Sequence, residues 1–264
     1  MTTSQDSLSH LENRFPWREV EVAGHAWRWL DTASEGPAVI LLPGSVGDSA
    51  MYMNTLFSLG DRLRLIALTY PALSDPRELT DGLNHVMDHL GLCQATVVGS
   101  SFAAYWIQFF GLEHPDRVHA LMICNGFTDG ADLAENPLFD RDYVENLGSR
   151  ALHQEWVGRV REAPVTPLQQ LQEVMLGSRQ SPDNLYARFL GVVRAQPCPA
   201  LGLDPSRITI LDCEDDPLIP LAARERLRSR YPESNHVTLD HGGHYPYFLN
   251  PHAYEAALIR CTET

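Results

Sequence analysis

A serine, a carboxylate and a histidine that could act together as nucleophile, orienting acid and base occur along this chain in that order. The serine is Ser101, in a Gly-x-Ser-x-Ala pattern that follows a β-branched segment and leads into an apolar helical sequence. A strand, a sharp turn and a helix in this order form a nucleophile elbow, which exposes the serine hydroxyl above a sheet. Gly99 and Ala103 have to be small because strand and helix approach closely there. Ser101 is therefore the candidate nucleophile.

The candidate base is His244. It follows two glycines in the loop after the last predicted strand, and a final helix begins at Pro251. In a chain with such an elbow, a histidine in this loop is placed to take the serine proton. His241 lies in the same loop, and its spacing alone does not exclude it.

The candidate orienting acid is Asp216, which lies just past a strand and before a helix opened by Pro220. A carboxylate there would accept the histidine N–H, fix its tautomer and stabilise the imidazolium. The alternatives are Asp212, Glu214 and Asp215 in the same segment, and Asp129 after the preceding strand. The spacing of these groups matches no familiar metal site, so neither a metal nor a cofactor is expected.

Two backbone N–H groups are expected to hold the oxyanion that develops on the substrate. One belongs to Phe102, directly after the candidate nucleophile, and the other to the loop that follows Leu42. That loop contains a Pro-Gly turn, and its donor is Ser45 or Val46. Such donors typically contribute about 100- to 1000-fold in rate.

Predicted strands and helices alternate along most of the chain. Short apolar runs predict buried strands, and apolar positions three or four residues apart predict helices. The predicted strands are 18–22, 25–31, 38–42, 62–68, 95–99, 118–124, 208–211 and 236–239. The predicted helices of this part are 49–59, 77–90, 105–112, 218–231 and 251–260. Alternation of this kind predicts an α/β fold with a mostly parallel sheet covered by helices on both faces.

The segment 127–203 breaks this alternation. It contains helical patterns at 141–147, 151–161, 167–176 and 183–194 and no convincing strand. We interpret it as a helical cap inserted into a core domain made of residues 1–126 and 204–264. Apolar cap residues that could roof a pocket are Trp156, Val157, Val160, Leu168, Leu171 and Met175.

Composition narrows the class of protein. The net charge of −14 argues against nucleic acid and anionic membrane surfaces as partners. The polar stretch from Met1 to Asn13 has no apolar signal region, and no run is long enough to span a membrane. The five cysteines are scattered without paired spacing, which favours reduced thiols and a cytoplasmic location. The oligomeric state cannot be predicted.

Taken together, the elbow, the Pro-Gly loop, Asp-x-x-x-Pro and Gly-Gly-His resemble the α/β-hydrolase superfamily over about residues 18–260. Several segments look more narrowly like maspardin-like proteins, namely 15–17, 64–71, 116–125 with Phe127 and Asp129, and 242–247. That resemblance implies a binding role, because maspardin-like proteins are regarded mainly as binding proteins. The chain departs from them at His244, where they have Asn.

The expected function is that of a serine hydrolase acting on an ester, thioester, lactone or related acyl bond of a small molecule. One alternative is a non-catalytic binding protein that uses the cleft under the cap. Another is a lyase, a cyclase or a cofactor-free haloperoxidase on the same fold. A dehalogenase is disfavoured because the elbow of that class carries Asp where this chain has Ser101.

Overall fold

The computed structural model of the protein describes residues 4–264 and is built around one sheet of eight strands. The strands are β1 (Arg18–Val22), β2 (His25–Asp31), β3 (Ala38–Leu42), β4 (Arg64–Thr69), β5 (Ala95–Ser100), β6 (Val118–Cys124), β7 (Ile208–Cys213) and β8 (Asn235–Leu239). Their order across the sheet is β1-β2-β4-β3-β5-β6-β7-β8.

The sheet is mostly parallel, which confirms the predicted architecture. β4, β3, β5, β6, β7 and β8 pair in parallel, whereas β2 runs antiparallel to both β1 and β4. The β1–β2 turn consists of Ala23 and Gly24, both with positive φ (51° and 81°), as a tight two-residue hairpin requires. Because parallel strands end at the same edge, the loops after β3, β5, β7 and β8 meet there.

Helices cover both faces of the sheet. Val97 and Val98 of β5 point to opposite faces, and each belongs to a separate hydrophobic cluster, one containing Trp106 and the other Leu258. The helices are α1 (Ser4–Arg14), α2 (Met53–Leu59), α3 (Pro76–His89), α4 (Phe102–Glu113), α5 (Arg141–Leu147), α6 (Ser149–Glu162), α7 (Pro167–Val174), α8 (Pro182–Val193), α9 (Leu221–Arg230), α10 (Pro246–Leu249) and α11 (Pro251–Thr262). Among the described residues, none of these helices has both the length and the apolar character needed to cross a membrane.

Two differences between the predicted and the observed elements have physical causes. The polar start of the chain carries no predicted element, but Ser4–Arg14 forms α1, which packs on α2 and α7 and buries Leu8 and Leu11 in the hydrophobic cluster that contains Leu258. Residues 1–3 of that stretch lie outside the described residues. The strand predicted from residue 62 begins at Arg64, because the N–H groups of Arg62 and Leu63 still bond to the carbonyl of Leu59.

The segment between β6 and β7 contains α5, α6, α7 and α8 and no strand among its described residues. One turn of π-helix, Met175–Arg179, continues α7. We call residues 127–203 the cap, with the predicted bounds. The division into a cap and a core domain stays a prediction.

Contact between β5 and α4 explains why the elbow needs a glycine before its serine. A methyl group on Gly99 would lie 2.6 Å from the carbonyl carbon and oxygen of Ala103. Those atoms belong to the backbone of the first turn of α4, so they cannot move aside without moving the helix.

We expect Gly99→Ala to lower the free energy of unfolding by about 1–3 kcal/mol, the usual cost of overpacking a rigid site. Equilibrium unfolding in urea measures it. Gly158→Ala in α6 is the matched control, since its methyl would meet nothing within 4 Å and alanine favours a helix over glycine by roughly 0.8–1.0 kcal/mol. A Gly99→Ala variant as stable as the parent would contradict the steric argument.

Candidate active site

Ser101 occupies a strained turn between β5 and α4. Its φ of 56° and ψ of −117° are unusual for a residue with a side chain. A hydrogen bond of 3.0 Å from its N–H to the carbonyl of Cys124, on the neighbouring strand β6, stabilises this strained conformation. Ser101 is only 6% exposed, so its hydroxyl faces an enclosed space.

Helix α4 begins at Phe102, directly after this turn. The N–H groups in the first turn of a helix have no intrahelical acceptor, and that of Phe102 is one of them. The positive end of the helix dipole adds to the preference for negative charge at this point.

The loop after β3 passes close to Ser101. A methyl group on Gly44 would lie 2.9 Å from Cβ and 3.6 Å from Oγ of Ser101, so only glycine fits there. Ser45 and Val46 follow directly, and both line the same cavity as Ser101. Among residues 4–264, the N–H of Ser45 and that of Val46 donate no hydrogen bond to another protein atom.

His244 is bonded to Asp216. Nδ1 of the imidazole lies 3.1 and 3.0 Å from the two carboxylate oxygens. Both residues are buried, and Asp216 Oδ1 also accepts the backbone N–H groups of Leu218 (2.8 Å) and Ile219 (3.3 Å). With Nδ1 facing the carboxylate, Nε2 lies at the opposite edge of the ring.

The alternative residues have other contacts. Asp129 accepts the N–H of Ala131 at the start of a 3₁₀ turn, and the buried carboxylate of Asp212 forms an ion pair with the partly exposed Arg228. Glu214 is exposed, and so is His241. Of the candidate acids, Asp216 is therefore the one whose carboxylate contacts His244.

Asp215 and Asn125 hold the Gly-Gly loop before His244, a role that the sequence did not predict for either residue. The carboxylate of Asp215 accepts the N–H of Gly242 (3.3 Å) and of Gly243 (2.8 Å). The amide of Asn125, fully buried at the end of β6, donates to the carbonyl of Gly243 at 3.0 Å. The sequence signal for Asn125 was its position at the carboxyl end of a predicted central strand.

A small cavity joins these groups. Its volume is about 20 Å³, which is room for roughly one water molecule. Its lining from the core comprises Gly44, Ser45, Val46, Ser100, Ser101, Leu218, His244, Tyr245 and Tyr247, and the cap adds Phe139, Trp156 and Phe189. Of the apolar cap residues proposed as a pocket roof, Trp156 is the one in this lining.

Uncharged hydroxyl groups supply much of the polarity of this cavity. Burial raises the pKa of Tyr245 to about 12, and burial raises the pKa of Tyr247 well above its usual value. Both phenols therefore keep their protons at neutral pH. The hydroxyls of Ser45 and Tyr247 are buried without a hydrogen-bond partner among the described residues.

Among the described residues, the group of side chains whose ligand atoms lie close enough to hold a metal ion is outside this cavity. Ligand atoms of Asp81, Glu113 and His114 all fall within 4.8 Å of one another. Two of these residues are exposed, and none of the three lines the cavity beside Ser101.

Comparison with known proteins places this geometry in context. The model of the alpha/beta hydrolase family matches residues 39–257. Maspardin of Homo sapiens is 26% identical over 221 residues, which cover 79% of this chain and 69% of maspardin. The putative carbamate hydrolase RutD of Caulobacter sp. (strain K31) is 24% identical over 247 residues, 86% of this chain and 91% of RutD.

The fold also matches solved structures. A hydrolase from Pseudomonas aeruginosa PA01 superposes with a TM-score of 0.78 at 17% sequence identity, covering 94% of this chain and 99% of that one. These matches agree with both resemblances seen in the sequence.

We expect Asn125→Ala to destabilise the protein by about 1–3 kcal/mol, because the buried carbonyl of Gly243 would lose its donor. Amide exchange in residues 241–244 should become faster. Asn250→Ala is the control, since Asn250 donates to the carbonyl of His241 in the same loop but in an exposed setting. Urea unfolding and hydrogen exchange measure both variants, and equal losses would contradict a special role for the buried bond.

Proposed function

Because the chain belongs to the alpha/beta hydrolase family, we propose that it is a serine hydrolase that cleaves an ester, thioester, lactone or related acyl bond of a small molecule. One observation carries the proposal. His244 is hydrogen-bonded to the buried carboxylate of Asp216 at a cavity that Ser101 also lines. A nucleophile, a base and an orienting acid are the groups that acyl transfer through a serine requires.

The reaction proceeds through an acyl-enzyme. Ser101 Oγ forms a bond to the substrate carbonyl carbon while His244 Nε2 accepts the hydroxyl proton. His244 then gives this proton to the departing alkoxide or thiolate. Water attacks the acyl-serine, its proton passes to His244, and Ser101 recovers a proton when the carboxylic acid leaves.

Backbone N–H groups stabilise the negative charge that develops on the carbonyl oxygen. Phe102 provides one, and Ser45 or Val46 provides the second. The close approach of Gly44 to Ser101 supports this role, because it brings the loop within reach of a carbonyl bound to Ser101 Oγ.

Asp216 keeps the base in the required tautomer. Its carboxylate accepts the Nδ1–H of His244, which leaves Nε2 unprotonated and able to act as the base. The two backbone bonds from Leu218 and Ile219 fix the carboxylate before the substrate arrives. No metal or cofactor takes part in the proposed reaction.

The lining of the cavity favours an uncharged acyl group. Three aromatic cap residues, Phe139, Trp156 and Phe189, form apolar walls, and neutral hydroxyls supply the polar contacts. RutD, which is similar to this chain, is named a putative carbamate hydrolase, and a carbamate is a related acyl compound. We include a cytoplasmic location in the proposal, supported by the five unpaired cysteines.

Labelling with a fluorophosphonate serine probe tests the proposal. Ser101 Oγ would bond to phosphorus, fluoride would leave, and the hydroxyl proton would pass to His244. We expect a single adduct, mapped to Ser101 by peptide mass, that disappears in Ser101→Ala. In His244→Ala labelling should slow by several orders of magnitude, since the members of a triad act as a unit.

The controls for this experiment are the folded state and the location of any adduct. Circular dichroism should show that both variants fold like the parent. A folded parent protein that forms no adduct would refute the acyl-serine mechanism and favour a binding role. An adduct on another serine would move the nucleophile away from Ser101.

Substitution of the carboxylates separates the candidate acids. We expect Asp216→Asn to lower kcat on a cleaved ester by roughly 10³–10⁴-fold, because asparagine would favour the wrong histidine tautomer. Asp129→Asn is the matched control and should leave kcat nearly unchanged, since asparagine can also cap the turn at Ala131. A loss seen only in Asp129→Asn would show that the acid is not Asp216.

A further inference from the structure

Three polar side chains of the cap occur at intervals of four residues and are joined to the loop after β3 or to one another by hydrogen bonds. They are Gln180, two residues before α8, and Asn184 and Arg188, both within it. Gln180 is 6% exposed and Arg188 is fully buried. Asn184 and Arg188 are four residues apart on α8 and therefore share a face. Gln180, in extended backbone before the helix, bonds to Asn184 and, like Arg188, to the loop after β3.

Gln180 uses both ends of its amide on that loop. Its Oε1 accepts the N–H of Gly47 at 2.8 Å, and its Nε2 donates to the carbonyl of Ser45 at 2.8 Å. Nε2 also donates to Asn184 Oδ1 at 3.0 Å, which fixes the orientation of the amide. Asn184 in turn donates to the carbonyl of Tyr70.

Arg188 holds the same loop from the next turn of the helix. Its Nη1 donates to the carbonyls of Gly44 and Gly47, each at 2.8 Å, and its guanidinium lies 4.0 Å from the centre of the Tyr70 ring. Within the described part of the chain it forms no ion pair. A buried cation is costly unless its donors find acceptors, and here backbone carbonyls accept from Nη1 and Nη2, whereas Nε has no partner among the described residues.

A fourth cap residue, Arg179, anchors this arrangement. Arg179, directly before Gln180, bonds to Asp48 at the far end of the loop (2.8 Å) and to Glu12 of α1 (2.7 Å). These two bonds, one to the loop after β3 and one to α1, restrict where the adjacent Gln180 can lie.

Planarity of the peptide bond connects these contacts to the oxyanion donors. In a trans peptide the carbonyl of one residue and the N–H of the next point in opposite directions. Holding the carbonyl of Ser45 toward Gln180 therefore directs the N–H of Val46 away from the cap side chain. By the same geometry, holding the carbonyl of Gly44 toward Arg188 directs the N–H of Ser45 away from Arg188.

We propose that Gln180 is a positioning residue that sets the orientation of the oxyanion donor in the loop after β3, so that this donor is assembled by the cap. The inference rests on the proposed hydrolase function, because it concerns the donors of that reaction. Gln180 does not touch the substrate in this scheme. It acts through the Ser45–Val46 peptide.

The proposal predicts a loss in rate with little loss in binding. Oxyanion donors interact with charge that exists only in the transition state, so a misdirected donor lowers kcat and leaves KM nearly unchanged. Complete loss of one donor costs about 100- to 1000-fold. For a donor that is only loosened, we expect roughly a tenfold to hundredfold decrease.

The test compares Gln180→Met with Gln169→Met. Gln169 is also 6% exposed and also lies in the cap, but its amide donates to the carbonyl of Val160 on α6 and not to the loop. Both variants lose a buried glutamine amide, so general destabilisation of the cap affects them alike. The readouts are the second-order rate constant of fluorophosphonate labelling at Ser101 and amide exchange over residues 43–48.

We expect Gln180→Met to be labelled at least tenfold more slowly than the parent and to exchange faster over residues 43–48. Gln169→Met should match the parent in both. Gln180→Glu keeps the acceptor for Gly47 but loses the donor to Ser45, so it should be slow as well and serves if Gln180→Met fails to fold.

Equal labelling rates in parent, Gln180→Met and Gln180→Glu would overturn the inference and leave the hydrolase proposal intact. Equal losses in the Gln180 and Gln169 variants would overturn it too, since the effect would then belong to the cap in general. A parent protein without an adduct on Ser101 would refute the hydrolase proposal, and the inference with it.

Discussion

Three stretches of backbone meet at contact distance around Ser101, and the rest of the site depends on that crowding. β5 and α4 touch at Gly99, and the loop after β3 touches the serine at Gly44. Side chains at these two glycines would push the segments apart. The parallel sheet makes the meeting possible, because β3 and β5 are neighbours and end at the same edge. The strained φ of Ser101 follows from the same geometry, and the bond to Cys124 on β6 supports it.

The loops around this point are joined by polar contacts, several of which are fully buried. Asp215 and Asn125 hold the glycines before His244, and Gln180 and Arg188 hold the loop after β3. Hydrogen bonds have preferred directions, whereas apolar contacts do not, so polar contacts can fix where a backbone group points. The cap therefore contributes more than apolar walls to the site. Its polar face is part of the structure that determines the shape of the loop beside Ser101.

The sequence predicted the strands, the order of the elements and the meeting of Ser101, Asp216 and His244 at one edge, because each depends on local pattern and on the rule for parallel strands. It did not predict the contacts of Asn125 or Gln180. A bond such as that from Asn125 to Gly243 joins residues far apart in the chain and leaves no local pattern. The polar spacing from Gln180 to Arg188 is visible in the sequence, but polar positions on a helix usually indicate a solvent-exposed face.

The size of the cavity has a consequence for how ligands are measured. A space of about 20 Å³ holds no organic molecule, so any ligand must displace Phe139, Trp156 or their neighbours as it enters. The apparent dissociation constant then equals the intrinsic one divided by the fraction of molecules already expanded. Two ligands with the same contacts will differ in apparent affinity according to how much expansion each requires. Ranking a set of compounds at this site thus ranks the deformability of the aromatic walls together with the quality of the fit.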